Sequence, residues 1–229
     1  MNKGKRLGTA SGIAFAYVGT VVGAGFASGQ EVMSFFTIYG HKALWAILIS
    51  SFLFAFIGTG ILLLGMELKA SSFGKLIDTM FGLLSPIINI YLLFAMMVIN
   101  IAMLAGAGAM FQEFGNTSYL VGVTITALAA IVTIGLGISG ILSINKILVP
   151  AILSFQIIII FITLSTKSSF EGEISFVEAS TVHLIKQGIS YASFNIILST
   201  GVLASLGKKF KDRDLLILGG VLGGSTLYF

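Results

Sequence analysis

Long apolar runs separated by short polar caps dominate the sequence, and this pattern predicts membrane-spanning helices. A straight α-helix needs about 20 residues to cross the hydrocarbon layer of a bilayer. We identify seven apolar segments, at residues 7–38, 43–66, 81–111, 118–138, 141–164, 184–206 and from 215 onward. The first and third segments are longer than a straight crossing requires, so we expect them to tilt, bend or break. The last has 15 residues before the chain ends at Phe229, and we interpret the sequence as a fragment ending inside its seventh span.

The composition agrees with an integral membrane protein. Hydrophobic residues make up 56% of the chain and charged residues 10%, whereas soluble domains are about half apolar and a quarter charged. Because the apolar runs are continuous rather than alternating, they favour helices over barrel strands. Cysteine is absent, which excludes disulfides, cysteine metal sites and thiol catalysis. We therefore predict an all-α, polytopic bundle in one transmembrane domain, residues 1–229, with the lipid bilayer as its partner.

The distribution of basic residues predicts the orientation. Positive residues prefer the cytoplasmic side of a membrane protein. With the N-terminus inside, ten basic residues lie on the cytoplasmic side and only Lys42, Lys167 and Lys186 lie outside. We therefore expect a multi-pass protein of the cell membrane with a cytoplasmic N-terminus. The net charge of +4 does not indicate nucleic-acid binding, because these residues stand in short caps between apolar runs.

The stretch "GTVVGAGFASGQEV", residues 19–32, is unusual for a membrane helix. Six glycines lie between Gly8 and Gly29, and each costs a helix about 1 kcal/mol relative to alanine. One interpretation is close helix packing, because the glycines form three pairs spaced by four residues. That interpretation leaves Glu31 unexplained, since a carboxylate inside a bilayer is costly and usually faces a cavity or a partner.

A second interpretation explains the glycines and Glu31 together. If the helix breaks near residues 22–27, its unpaired backbone groups must line a water-filled or ligand-filled cavity. A second half-helix starting near residues 27–29, with Ser28 as N-cap, would attract an anionic group, and the freed carbonyls before it would suit a cation. Glu31 would then be a proton carrier or a partner for a substrate amine. The predicted substrate-binding residues here are Gly23, Ala24, Gly25, Phe26, Ser28, Gln30 and Glu31, and the predicted ion-coupling residues are Val22, Gly23 and Glu31.

The sixth segment also carries polar side chains within an apolar span. Its serines and threonines can bond back to helix carbonyls, so packing explains most of them. Asn195 is different, because a buried amide needs partners outside its own backbone. Asn100, in the third segment, could reach the cavity or make an interhelical hydrogen bond. His41 and His183 are isolated from other ligands and support neither a metal site nor a catalytic triad.

"AYVGTVVGAGFASGQEVMSFFTIYG", residues 16–40, resembles the first membrane helix of the YkvI-type bacterial membrane proteins. More distantly, the chain resembles the amino acid–polyamine–organocation superfamily with the LeuT fold: "INKILVPAILSFQIIIIFI" is similar to the fifth helix of that fold and "LIKQGISYASFNIILSTGVLASLG" to its sixth. The resemblance implies two inverted five-helix repeats, the first at about 7–164 and the second starting at about 184–229, with the first and sixth helices broken at mid-membrane. It places Ser193 and Asn195 opposite the first break as substrate contacts and Tyr191 as a gate. The chain departs from this pattern because it stops in the seventh helix and its sixth segment lacks a central glycine or proline.

These features predict a secondary transporter for a small, amino-acid-like solute, with Na⁺ or H⁺ as coupling ion and no other cofactor. The alternative is a membrane sensor or receptor subunit that keeps a transporter-like pocket but moves nothing. An enzyme is not expected, because the spans hold no nucleophile–base pair or metal cluster. Since alternating access needs one repeat to move against the other, we expect these 229 residues alone to insert without transporting.

Overall fold

The structure is a computed structural model that describes residues 3–22, 29–70, 72–165 and 176–227. Within these ranges every regular element is helical, which confirms the predicted all-α class. The described residues form ten α-helices: α1 Lys3–Val21, α2 Gln30–Phe35, α3 Ala43–Leu53, α4 Thr59–Glu67, α5 Phe73–Phe81, α6 Ser85–Gly115, α7 Tyr119–Gly135, α8 Gly137–Ser165, α9 Thr181–Lys209 and α10 Arg213–Thr226. Short 3₁₀ turns at Thr37–Lys42 and Gly82–Leu84 precede α3 and α6, and a π-helical turn at Phe54–Gly58 joins α3 to α4.

Four described helical stretches are long and apolar enough to cross a membrane: Thr37–Glu67, Phe73–Gly115, Gly137–Ser165 and Thr181–Lys209. This is fewer than the seven segments that the sequence pattern predicts. The other three are shorter or less apolar: α1 has 19 residues and opens with basic residues, α7 has 17 residues and α10 has 14. In the first and fourth segments the apolar pattern therefore overstates the length of the helix that forms, whereas α8 and α9 are longer than their segments.

The resemblance implies breaks in the first and sixth helices, and the structure interrupts the first but not the sixth. α1 ends at Val21, and the helix that starts at Gln30 follows Gly29 in the left-handed conformation, with φ 75°. Residues 19–32 are therefore not one uninterrupted helix. α9, by contrast, is a single helix of 29 residues. The broken sixth helix that the LeuT resemblance implies is not present, because α9 has neither a glycine nor a proline near its middle to interrupt the backbone ladder.

The core lies where α1, α3–α4, α9 and α10 pack together. α10 makes this possible through glycines on two of its faces. Gly219 and Gly223 lie against Ile13 and Tyr17 of α1, while Gly220 and Gly224 lie against Thr59 and Ala55. Glycine lets two backbones approach closely, so α10 can fill the space between α1 and the α3–α4 junction.

The π-helical turn is held by a side chain from α1. Such a turn disturbs the regular hydrogen-bond ladder of a helix, and the Tyr17 hydroxyl donates to the Phe54 carbonyl at 2.8 Å. Tyr17 and Phe54 are both fully buried. This bond fixes the height of α1 against the α3–α4 junction.

The outer helices α6, α7 and α8 expose their apolar side chains. Leu93 of α6 is 73% exposed and Phe161 of α8 is 71% exposed. Apolar surface of this extent is unusual for a protein in water. It is compatible with the lipid contact that the sequence predicts.

Polar contacts gather at the two ends of the bundle. At one end, Arg6 lies 3.4 Å from the carboxylates of both Asp212 and Asp214. At the other, the Tyr39 hydroxyl is 2.9 Å from His183 Nε2 and accepts a bond from Gln187 Nε2 at 2.9 Å. The start of α1 and the basic loop before α10 therefore share one end, as the orientation requires, while the orientation itself stays a prediction.

We expect Gly224→Ala to destabilise the bundle by about 1–3 kcal/mol, because the added methyl would be crowded against backbone atoms of the α3–α4 junction. Its Cβ would lie 2.8 Å from the Phe54 carbonyl carbon. Gly60→Ala is the matched control, because a Cβ there has no atom within 4 Å. Thermal unfolding in detergent should show a lower melting temperature for Gly224→Ala only. Equal melting temperatures for the two variants would contradict the packing described for α10.

Tyr17→Phe removes only the hydroxyl group that donates to the π-helical turn. A buried carbonyl without its donor costs about 1–3 kcal/mol, so thermal unfolding should occur at a lower temperature. Tyr91→Phe serves as control, since the Tyr91 side chain lies on the outer surface and is 71% exposed. A Tyr17→Phe protein as stable as the wild type would show that the bond contributes nothing.

Candidate functional site

A cavity of about 730 Å³ lies between the end of α1, α2, α6 and the middle of α9. Small-molecule sites usually occupy about 300–1,000 Å³. The cavity has polar and apolar lining residues on all four elements: Thr20, Val21, Gln30, Glu31, Ser34, Phe35, Met96, Ile99, Asn100, Ala102, Met103, Gly106, Ala109, Met110, Glu113, Phe194, Asn195 and Leu198. Its size and mixed lining make it the candidate solute site.

Glu31 is placed at this cavity by the first turn of α2. Gly29 before it has a positive φ, a conformation that glycine adopts without steric cost, and this turns the chain into α2. Glu31 Oε2 is buried and accepts no hydrogen bond from the described residues. An unpaired carboxylate oxygen in such a position is costly unless a partner completes it. Glu31 is therefore the side chain of this cavity with the strongest need for a ligand.

α9 contributes Asn195 to the opposite wall. Asn195 is only 3% exposed, and its Nδ2 donates to the Tyr191 carbonyl of its own helix at 3.1 Å. Ser193 is exposed on α9 and does not line the cavity. Residues two apart on a helix point in nearly opposite directions, so Asn195 and Ser193 do not share a face.

Tyr191 lies in an aromatic cluster next to the cavity rather than among its lining residues. Its ring centre is 5.2 Å from that of Phe35, 4.9 Å from Phe36 and 5.9 Å from Phe54. These tilted and edge-on contacts are the favourable arrangements of aromatic rings. Tyr191 thus packs against the end of α2 and connects it to the π-helical turn.

The remaining predicted site residues divide into three groups. Gly23, Ala24, Gly25, Phe26 and Ser28 lie outside the described residues. Gln30 and Glu31 line the cavity, and Val22 faces a small apolar gap between α1 and α8. The N-cap of α2 is Gly29, not Ser28, because the left-handed turn at Gly29 directly precedes the first helical residue.

Sequence reasoning missed most of the α6 wall. Asn100 lines the cavity and donates its Nδ2 to the Met96 carbonyl at 2.8 Å, rather than to another helix. Glu113 was not singled out at all. Met96, Asn100, Met103, Met110 and Glu113 recur at helical spacing, so they lie along one face of α6. That spacing was the signal in the sequence for a cavity-lining face of α6. It is easily overlooked, because methionine and alanine at helical spacing also occur where helices simply pack together.

A larger groove of about 1,180 Å³ lies on the other side of α4, against α5 and α6. Apart from Thr59, Tyr91 and Thr200, its lining side chains are apolar or glycine. A groove of this kind suits hydrocarbon and offers little to orient a polar solute. The smaller cavity at Glu31 is therefore the better candidate for solute binding.

The helical fold, its exposed apolar helices and a partly open cavity of mixed lining are those of a polytopic membrane protein with a solute-sized cavity. Sequence comparison shows which proteins the chain resembles. The chain is 31% identical over 224 residues to a protein of Bacillus subtilis (strain 168) described as "Uncharacterized membrane protein YkvI", covering 96% of this chain and 63% of that protein. It is 25% identical over 208 residues to "Uncharacterized protein YyaD" of the same organism, covering 90% of this chain and 59% of that protein.

The similarity extends along nearly the whole chain and bears out the resemblance to the YkvI-type membrane proteins. The chain spans about three fifths of the length of these relatives. No protein-family model matches the chain. No solved structure matches it either.

We expect the cavity to admit water, and the absence of native cysteine allows a direct test. Ser34→Cys should react quickly with a membrane-impermeant maleimide, because a thiol becomes reactive only where it can ionise. Ser154→Cys, on the lipid-facing side of α8, should react slowly. The two serines are matched: each donates to the carbonyl four residues earlier, Ser34 to Gln30 at 2.8 Å and Ser154 to Pro150 at 2.7 Å. Equal rates at the two positions would contradict an aqueous cavity.

Proposed function

We propose that this protein is a secondary active transporter for a small, amino-acid-like solute and that a Na⁺ or H⁺ gradient drives it. One observation carries the proposal: Glu31 presents an unpaired buried oxygen at a solute-sized cavity of mixed polar and apolar lining in a membrane protein. Intramembrane carboxylates usually mark substrate or ion pathways. A cavity of about 730 Å³ is also larger than an ion alone would need.

The arrangement of helices supports a LeuT-like architecture for the proposed transporter. In that architecture α1 and α9 correspond to the first and sixth helices, which meet at the solute site, and both contribute to the cavity here. The first repeat would cover about residues 7–164 and the second would begin at about 184. α1, α3–α4, α9 and α10 form the packed core, whereas α6–α8 lie at its side. This division suits a bundle that moves against a scaffold.

The end contacts support the proposed topology in the cell membrane. Arg6 of α1 pairs with Asp212 and Asp214, which places the N-terminal basic residues beside the basic loop between α9 and α10. With that end cytoplasmic, Tyr39 and His183 lie on the outer side. The proposed lipid contact involves the exposed apolar faces of α6, α7 and α8.

Transport should depend on Glu31. We expect the full-length protein in liposomes to accumulate labelled amino acids when a Na⁺ or H⁺ gradient is imposed. Glu31→Gln should reduce the initial rate at least tenfold, because the amide keeps the shape of the side chain but loses its charge. Glu67→Gln, at the exposed end of α4, should leave the rate unchanged.

Two outcomes would contradict different parts of this proposal. Saturable binding without gradient-driven uptake would identify a sensor or receptor subunit that uses the same pocket. Equal uptake by the wild type and Glu31→Gln would remove Glu31 from the mechanism and leave the cavity without its assigned role.

A further inference from the structure

Four of the side-chain hydrogen-bond donors that line the cavity are directed to carbonyls of their own helices. Thr20 Oγ1 donates to the Ala16 carbonyl at 2.6 Å, and Ser34 Oγ donates to the Gln30 carbonyl at 2.8 Å. A hydroxyl has one proton but two acceptor lone pairs. Both hydroxyls have therefore committed their proton to their own helix, and what they offer a ligand is acceptor capacity.

The two asparagines that line the cavity also donate to carbonyls of their own helices. Asn100 Nδ2 donates to the Met96 carbonyl at 2.8 Å, and Asn195 Nδ2 donates to the Tyr191 carbonyl at 3.1 Å. Each side-chain amide has two N–H donors and one carbonyl oxygen. Each thus commits at least one N–H to its own helix while its oxygen can still accept.

The charges of the lining have a single sign. Glu31 and Glu113 are acidic, and the described lining residues include no lysine, arginine or histidine. Residues 23–28, "GAGFAS", which precede α2 in the sequence, contain no ionisable side chain. An acceptor-rich, acidic cavity complements a cation that donates several hydrogen bonds, and it disfavours an anion.

We propose that a primary ammonium group of the solute binds at Glu31. This inference rests on the proposed function of the cavity and decides between the two roles that the sequence left open for Glu31. An ammonium has three donors: one completes the unpaired Oε2 of Glu31, and the others can bond to hydroxyl or amide oxygens of the lining. Phe35, Met103 and Phe194 surround this polar part and suit an aliphatic remainder of the solute.

A bound divalent metal ion fits the residues less well. The part of the chain that the structure describes contains no group of three or more histidine, cysteine, aspartate or glutamate side chains that could hold one. Hard cations such as Ca²⁺ and Mg²⁺ need about six or more oxygen ligands in close geometry. An organic ammonium needs only a few acceptors and fills a cavity of this size with the rest of the molecule.

Three matched probes test the inference on the full-length wild-type protein by thermal shift. L-Norvaline carries both an ammonium and a carboxylate, n-butylamine is the same molecule without the carboxylate, and pentanoate is the same molecule without the ammonium. A bound ligand raises the apparent melting temperature with its occupancy. We expect norvaline and butylamine to raise it saturably, and pentanoate to have no effect up to a tenfold higher concentration.

The variants then assign the effect to Glu31. Glu31→Gln should raise the half-saturating concentration of butylamine at least tenfold, whereas Glu67→Gln should leave it unchanged. If Glu31→Gln does not fold, Glu31→Asp keeps the charge and should retain the preference for butylamine over pentanoate.

Three results would overturn the assignment: stabilisation by pentanoate equal to that by norvaline, no stabilisation by either amine, or unchanged butylamine binding in Glu31→Gln. Gradient-driven uptake of amino acids alongside any of these would leave the transport proposal intact and remove only the ammonium site. Saturable amine binding without any uptake would leave the ammonium site intact and remove the transport proposal.

Discussion

The contact between the Tyr17 hydroxyl and the Phe54 carbonyl is the constraint on which the rest of the bundle depends. It joins α1 to the π-helical turn between α3 and α4 at a fully buried point. The Phe54 ring also meets Tyr191 of α9, and the backbone of the same turn receives Gly224 of α10. Four core elements thus meet around five residues of irregular helix. Because an irregular turn cannot slide along its neighbours as a smooth helix can, the relative heights of these elements are fixed there.

The cavity follows from that fixed junction. α1 ends at Val21, one turn beyond Tyr17, and α9 presents Asn195 one turn beyond Tyr191. The aromatic cluster of Phe35, Phe36 and Tyr191 then holds α2 so that Glu31 faces the space between them. Aromatic packing beside the cavity therefore determines where the carboxylate stands. The polar site is small, but its position depends on the packing of the whole core.

Sequence alone predicted the helical class and the membrane character, because apolar run length is a local signal. It also singled out Gln30 and Glu31, which line the cavity, while their role in solute binding stays a prediction. Asn195 was also singled out, since a buried amide needs a partner. Ser193 was placed beside it by resemblance, although helical geometry puts the two on different faces. Glu113 was not predicted, because the sequence does not reveal which helix faces the cavity. The π-helical turn was not predicted either, because its sequence "FAFIG" has the same composition as an ordinary apolar helix.

The uninterrupted length of α9 has a mechanical consequence. The helix has 29 residues and extends about 43 Å, and Asn195 stands 14 residues from each end. Its N-terminal end is tied to Tyr39 through His183 and Gln187, and its C-terminal end lies against Leu62 through Gly207. A stiff rod that pivots near its midpoint moves its two tips in opposite directions. Because the backbone of α9 is unbroken, an outward displacement of one tip would be coupled to an inward displacement of the other.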